Sequence, residues 1–292
     1  MLHDDWQTYL AAQADKPSQA TPGPGQVVGL QTWAALRFSG PDARTFLQGY
    51  LTSDTADLTP DRLVPTAICN LKGRVVVNGW CCAHGANDVR LLVHRSMVPR
   101  LAGFLKPYLM FAKTEMVDES ANLLIIGVQP AATETSGLLL GEQRRIILCD
   151  QMDTARQAWQ QHAPIDEAAW QAGLVEEGLP LITEATAEIF LPQMLGLDAA
   201  GAVSFTKGCY LGQEIVARAQ HRGAVKRRLR SLTWEGDRQL EPGEEITDST
   251  GRSVGIVVNA TNDSGRGFCL AVMQSDDAEG FQQGDTDLRS VS

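Results

Sequence analysis

The sequence lacks a run of apolar residues long enough to cross a membrane, and it lacks a basic segment at its start. A membrane helix needs about 18 consecutive apolar residues, and a secretory leader begins with lysine or arginine. Here Asp4 and Asp5 occupy the first residues instead. These absences predict a cytoplasmic protein that does not bind membranes.

The sequence also lacks the short motifs that bind nucleotides or zinc. It has neither a GxGxxG segment nor a P-loop, so nucleotide-binding folds have little support. Its 6 cysteines include no CxxC pair and no zinc-ligand spacing, so no metal site is predicted. Adjacent Cys81 and Cys82 would face opposite sides of a strand. We therefore expect most of the cysteines to be reduced core residues.

Positive charge is scarce. The chain has 25 basic and 35 acidic residues, a net charge of −10, which argues against a generally basic nucleic-acid binder and against direct DNA binding. Residues 207–230 nevertheless carry a net charge of +6. A basic strip on an acidic body indicates an anionic ligand at one site, or else a solvated helix end followed by the start of a strand.

The order of predicted elements indicates an α+β protein. With 292 residues and 43% apolar composition, the chain can form two or three domains. Pairs of strands separated by single helices predict two α+β units, at 27–120 and 121–228, and short strands with turn signals predict a small β-barrel at 229–292. Residues 1–26 are predicted to be an N-terminal segment with a Pro/Gly linker, and residues from about Asp276 are expected to fray.

The stretch 204–218 combines a cation, two glycines, a thiol and a carboxylate. Thr206 is predicted to cap a helix whose first turn holds Cys209 and Tyr210, with Gly223 ending it. Cys209 would then lie at the positive end of a helix dipole beside Lys207, and both would lower the pKa of the thiol. This geometry favours a reactive cysteine, and the alternative is a small buried apolar residue.

The two glycines of this stretch allow two interpretations. Gly208 and Gly212 have no side chain, so a ligand or a client protein could approach the sulfur of Cys209 closely. The alternative is that they serve tight packing of the loop.

Residues 207–214, Lys-Gly-Cys-Tyr-Leu-Gly-Gln-Glu, resemble the signature of the YgfZ family of folate-binding proteins, relatives of the glycine-cleavage T-protein. Three further stretches, 40–49, 69–75 and 176–180, agree with this resemblance, which runs from about residue 33 to residue 230. The resemblance implies a pseudo-symmetric pair of ferredoxin-like α+β units around a central cavity, with a C-terminal β-barrel. It also implies tetrahydrofolate or a derivative as the cofactor.

The resemblance also implies roles for individual residues. Cys209 and Lys207 would act on a folate-bound one-carbon unit or on a client, Glu176 would hold the N–H edge of the pterin ring, and Trp33 or Tyr108 could stack on that ring. The nominated cofactor-binding residues, with Arg222 and Lys226 assigned to the anionic tail, are Glu176, Tyr210, Gly208, Gln213, Glu214, Arg222 and Lys226.

Three functions follow from these observations. The first is a monomeric, folate-binding accessory protein that supports iron–sulfur enzymes and, through them, tRNA thiolation. The second is a tetrahydrofolate-dependent aminomethyltransferase, against which the Lys-Gly-Cys-Tyr motif counts because the T-protein group lacks it. The third is a non-catalytic RNA- or protein-binding scaffold, although the basic strip is short and has few interleaved aromatic residues.

Overall fold

A computed structural model describes residues 2–14, 25–130, 137–222, 225–274, 281–284 and 286–291. The helices in these ranges are α1 (Leu2–Ala14), α2 (Ala43–Gln48), α3 (Val98–Leu109), α4 (Met152–Gln160), α5 (Glu167–Glu176) and α6 (Gln213–Arg222). The strands are β1 (Gln26–Gly29), β2 (Trp33–Ser39), β3 (Val64–Cys69), β4 (Val75–His84), β5 (Asp88–His94), β6 (Glu115–Asp118), β7 (Leu124–Gln129), β8 (Leu138–Leu140), β9 (Arg144–Cys149), β10 (Ala163–Pro164), β11 (Arg227–Glu235), β12 (Glu245–Asp248), β13 (Ser253–Asp263), β14 (Arg266–Gln274), β15 (Phe281–Gln283) and β16 (Thr286–Ser290). The predicted linker runs from residue 14 to residue 25, and its residues 15–24 lie outside the described ones, as does the predicted helix stop at Gly223.

The first sheet is antiparallel, in the order β3-β4-β5-β2-β6, and its β3-β4-β5 part is a meander. The turn at 70–73 joins β3 to β4, as its residues predict. Strand β4 is buried along almost its whole length because both faces of the sheet are covered. Cys81 contributes to one apolar cluster and Cys82 to another, so the predicted opposition of these neighbours is confirmed.

The second sheet has the order β10-β1-β7-β9-β8. Its strand β1 precedes the whole first sheet in the sequence. Strand β1 pairs antiparallel with β7 and parallel with β10. Helix α1 covers this sheet through Trp6, which is buried and meets the ring of Trp159 edge-on at 5.4 Å. The two sheets are thus interleaved along the sequence, and the unit boundaries near residues 120 and 228 stay predictions.

The C-terminal strands form a closed barrel in the order β11-β14-β13-β12-β15-β16, and all its pairings are antiparallel. The expectation that residues beyond about Asp276 fray is wrong for the described ones, because 281–283 and 286–290 are strands of this barrel. Phe281 and Leu288 provide the reason, since both are buried in the barrel core although their neighbours are polar. Two α+β sheets with a C-terminal β-barrel confirm the predicted fold class.

Within the described ranges, each helix is too short or too polar to pass through a bilayer.

Candidate thiol and ligand site

The motif helix begins later than its sequence predicts. Helix α6 starts at Gln213, so Cys209 lies four residues before it and Thr206 does not cap it. Gly212 explains the difference, because its φ of +83° is left-handed and cannot belong to a right-handed helix. The predicted placement of Cys209 in the first helical turn is therefore wrong, and the helix dipole does not act on the thiol from there.

The two glycines of the motif serve different purposes. A Cβ atom on Gly212 would lie 2.4 Å from the carbonyl oxygen of Asn70 and 3.2 Å from the Cβ of Cys69. A Cβ on Gly208 would meet nothing within 4 Å. Gly212 therefore serves close packing against the turn after β3, whereas the space beside Gly208 is open to an approaching molecule.

Lys207 is a buried cation that holds the motif segment to the first unit. Its side chain reaches the backbone carbonyls of Leu51 and Ser53, and Nζ donates a hydrogen bond of 2.8 Å to each. Nζ also lies 5.2 Å from the ring centroid of Tyr210. Burial lowers the pKa of Lys207 to about 8, although the charge of Asp54 opposes this shift.

These contacts correct the role that the sequence gives Lys207. We expected the ammonium group beside the thiol of Cys209, where it would stabilise the thiolate. The structure instead directs it to two carbonyl oxygens in the interior, and the residue is only 8% exposed. Lys207 therefore acts as an anchor for the loop.

Backbone hydrogen bonds fix the rest of the segment along the same stretch of the first unit. The N–H of Leu211 donates to the carbonyl of Gly49, and the N–H of Ser204 donates to that of Thr52, both at 2.9 Å. The hydroxyl of Thr52 donates in turn to the carbonyl of Ala202 at 2.6 Å. Residues 204–212 thus form an irregular but firmly held loop.

Cys209 is the exposed cysteine of this loop, and the other five cysteines are buried. Burial raises the pKa of the thiols of Cys69, Cys81, Cys149 and Cys269 to about 12, and that of Cys82 to about 11. The alternative of a buried apolar Cys209 is therefore excluded. Exposure on a fixed loop leaves its sulfur accessible to a client or a ligand.

The remaining nominated residues of the motif region do not converge on one site. Tyr210 is buried, and burial raises the pKa of its hydroxyl. Gln213 is the first residue of α6, and Glu214 forms an exposed ion pair with Arg218 at 2.9 Å. Lys226 is exposed just before β11, and the side chain of Arg222 lies outside the described part of the chain.

A cavity of about 100 Å³ lies between the first sheet, helix α5 and the barrel. Trp33 forms one wall and is stacked on Trp80, with ring centroids 5.0 Å apart and planes 7° from parallel. Leu174, Val175, Leu179 and Leu181 supply further apolar walls, and His94, Gln171 and Asn259 supply polar groups. Apolar walls with a few polar groups are the usual lining of a small-molecule site, although this cavity is smaller than a typical drug-sized pocket.

Of the residues nominated to bind the ring, one lines this cavity and two do not. Trp33 lines it, whereas Tyr108 is partly exposed elsewhere and contacts the ring of Tyr50 at 5.1 Å. Glu176 ends α5 one residue beyond Val175, is exposed and is not part of the wall. Its neighbour Glu177 forms an ion pair with Arg144.

Sequence reasoning missed His94, Gln171 and Asn259. His94 lies directly opposite Trp33 in the pairing of β2 with β5, so a correct strand register would have identified it. Asn259 follows a register shift in β13, and its side chain bonds the backbone of Leu181. No local pattern indicates such a long-range contact.

Two sheets with an appended six-stranded barrel, enclosing a cavity at their junction, define the fold class of the glycine-cleavage T-protein. The aminomethyltransferase T of the glycine cleavage system from Bartonella henselae superposes with a TM-score of 0.70 at 14% identity. The match covers 93% of this chain and 86% of that one. At this identity the likeness establishes the fold alone.

Curated relatives define the family more closely. The tRNA-modifying protein YgfZ of Edwardsiella ictaluri is 32% identical over 286 residues, covering 85% of this chain and 84% of the relative. The protein of the same name from Cronobacter sakazakii is 30% identical over 291 residues, covering 89% and 88%. This chain belongs to the YgfZ family. No family model matches it.

Proposed function

We propose that this protein is a tetrahydrofolate-binding accessory protein that supports iron–sulfur enzymes and, through them, tRNA thiolation. The observation that carries the proposal is a firmly held loop that exposes one thiol, Cys209, in a protein that also has a mostly apolar cavity lined by Trp33. The name of the relatives, tRNA-modifying protein, supports the tRNA part of the proposal.

The residues of the cavity fit the ring of a folate. Folate is a flat heteroaromatic ring joined to an anionic tail, so it needs a planar apolar surface, a few hydrogen-bonding groups and a cation. Trp33 supplies the surface, its neighbours supply apolar walls, and Glu176 lies at the end of the helix that forms one wall. Lys226 and the other basic residues of 207–230 are our candidates for the tail.

In this proposal Cys209 carries the chemistry. When bound, tetrahydrofolate supplies or accepts a one-carbon unit, and the thiol acts on that unit or on a client. Lys207 holds the loop in place, and the open space beside Gly208 lets the reacting molecule approach. The free thiol groups of all 6 cysteines suit the reducing cytoplasm, where we place the protein.

The fold favours a second candidate, a true aminomethyltransferase, because it is that of the T-protein. We expect this protein not to release ammonia from an aminomethyl-loaded lipoyl carrier protein at the rate of a T-protein, because that reaction does not use a cysteine. A coupled ammonia assay on both proteins tests this. If the two proteins released ammonia at comparable rates, the aminomethyltransferase function would replace our proposal.

Calorimetric titration with reduced folates tests the proposal itself. We expect saturable binding of tetrahydrofolate at one site per chain. Trp33→Ala should weaken binding, because it removes the flat wall, whereas Trp159→Ala, on the far side of the second sheet, is the matched control. A protein that is folded by circular dichroism yet binds no reduced folate would fit the scaffold function instead.

A further inference from the structure

His94 is held in one protonation form by the backbone beside it. The N–H of Ser96 donates to Nδ1 of His94 at 3.2 Å, and the hydroxyl of Ser96 lies 2.8 Å from the same atom. The N–H of Glu184 donates to that hydroxyl oxygen at 3.3 Å. A backbone N–H can only donate, so Nδ1 is the acceptor and carries no proton.

The proton of the neutral ring must then sit on Nε2. Burial lowers the pKa of His94, and the nearby charge of Arg95 lowers it further, so the neutral form is favoured. His94 also lines the cavity, opposite Trp33 in the strand pairing. The side chain therefore brings one N–H donor of fixed identity to a mostly apolar space.

Two other polar residues of the cavity, Asn259 and Thr32, are engaged in holding the protein together. Asn259 accepts from the N–H of Leu181 at 2.7 Å and donates to the carbonyl of the same residue. The hydroxyl of Thr32 donates to a carboxylate oxygen of Glu167 at 2.5 Å. Across the described ranges, the side-chain hydrogen bonds of His94 all involve Nδ1.

We propose that His94 recognises the ring of the bound ligand by donating a hydrogen bond from Nε2 to an acceptor on the ring edge, while the ring lies along Trp33. The ligand class is a planar heterocycle with a carbonyl oxygen or an unprotonated ring nitrogen at its edge, as in a pterin. This inference rests on the proposed folate function, and it identifies the edge of the ring as the part of the ligand that the cavity recognises.

Two substitutions test the donor. His94→Leu keeps similar bulk but removes Nε2–H, and it should weaken binding of tetrahydrofolate and of 6-methylpterin about 10- to 100-fold, the loss expected for a buried hydrogen bond. His94→Gln places an amide N–H near the position of Nε2, and it should bind within about threefold of the wild type. His84→Leu is the matched control, because His84 lies at the other end of the first sheet beside Arg90.

Nitrogen-15 NMR of the histidine side chains gives an independent measurement that does not require a variant to fold. We expect the Nε2–H tautomer for His94 in the unliganded protein and a shift of its Nε2 signal on adding 6-methylpterin. An Nδ1–H tautomer would overturn the inference, and so would equal affinities of wild type and His94→Leu.

The two proposals fail in different ways. If 6-methylpterin binds through His94 but tetrahydrofolate does not bind, the folate function is overturned and the role of His94 stands. If tetrahydrofolate binds equally to the wild type and to a folded His94→Leu variant, the role of His94 is overturned and the folate function stands. If neither probe binds the wild-type protein, both are overturned.

Discussion

The motif loop at 204–212 and the cavity beside Trp33 use buried polar groups in opposite ways. The loop buries its cation, Lys207, which fixes its backbone, and it leaves the sulfur of Cys209 exposed. The cavity has a half-buried donor, on His94, beside apolar walls. We propose that the loop provides the reactive group and the cavity recognises the ligand, so substitutions should separate the two properties.

The strongest test of this separation is Cys209→Ser. We expect it to abolish support of iron–sulfur enzymes in cells that lack the native protein, while tetrahydrofolate affinity stays within about twofold, because the sulfur does not line the cavity. A tRNA-thiolation assay and calorimetry on the same variant measure the two effects. Cys82→Ser, which alters a buried thiol, is the control. If Cys209→Ser lost tetrahydrofolate affinity as strongly as it lost support of iron–sulfur enzymes, the loop and the cavity would not have separate roles.

Alkylation should distinguish Cys209 from the other cysteines by at least about 100-fold in rate near pH 7. The other five are buried and their thiol pKa values are raised, so few of them are thiolates at this pH. Iodoacetamide labelling followed by mass spectrometry measures the rates site by site. Because the ammonium group of Lys207 is bound elsewhere, Lys207→Met should leave the rate nearly unchanged. A marked slowing in that variant would restore the activating role that the sequence suggests.

Lys207→Met should instead destabilise the fold by about 3 kcal/mol, because two buried carbonyls lose their donor. The contribution of Lys207 to stability should also rise with pH between 8 and 10, while the five buried thiols, whose pKa values are raised, lose stability in the same range. The effect of Lys207 is therefore the difference between the wild-type protein and Lys207→Met at each pH. In this range the unfolded state, whose lysine pKa is normal, binds more protons than the folded state, whose pKa is about 8. Urea unfolding at pH 7 and pH 9.5 measures both effects, with exposed Lys106→Met as the control. An equal change of stability with pH in the wild-type protein and in Lys207→Met would contradict the lowered pKa of Lys207.

Gly212→Ala and Gly208→Ala form a matched pair within one loop. The first should cost about 2 kcal/mol of stability, because a Cβ would collide with Asn70 and the φ is left-handed. The second should cost less than about 0.5 kcal/mol, because the space there is open. Thermal unfolding of both variants tests this, and equal costs would contradict the assigned difference.

The smallest expected effect is that of Glu176→Gln on tetrahydrofolate affinity. An exposed carboxylate at the end of α5 should contribute about 1 kcal/mol to a charge-assisted contact with the ligand. Glu214→Gln is the control, because Glu214 pairs with Arg218 on α6. Equal effects of the two variants would remove Glu176 from the site.

Local patterns predicted much of the fold because most of its strands pair with near neighbours. The strands on both sides of the turn at 70–73 follow from alternation and turn residues, and so does the barrel. Strand β1 pairs instead with β7 and β10, and no local pattern indicates partners so distant. The last barrel strands were not predicted either, because they are mostly polar and have only two inward-facing apolar residues, Phe281 and Leu288.

The site was predictable as a sequence motif but not as a geometry. The run around Cys209 identified the loop, yet the start of α6 depends on the left-handed Gly212. The direction of the Lys207 side chain depends on two carbonyls more than 150 positions away. His94 required the register of two strands.

The cavity has a consequence for synthesis of the protein on the ribosome. Strand β1 can pair only after β7 and β10 have been translated, whereas all strands of the first sheet are available once β6 has left the ribosome. One wall of the cavity comes from Asn259 and Ala260 in the barrel, near the end of the chain. During synthesis the loop of Cys209 is therefore translated before the pocket can be finished, and the cavity is complete only after β13 has been translated.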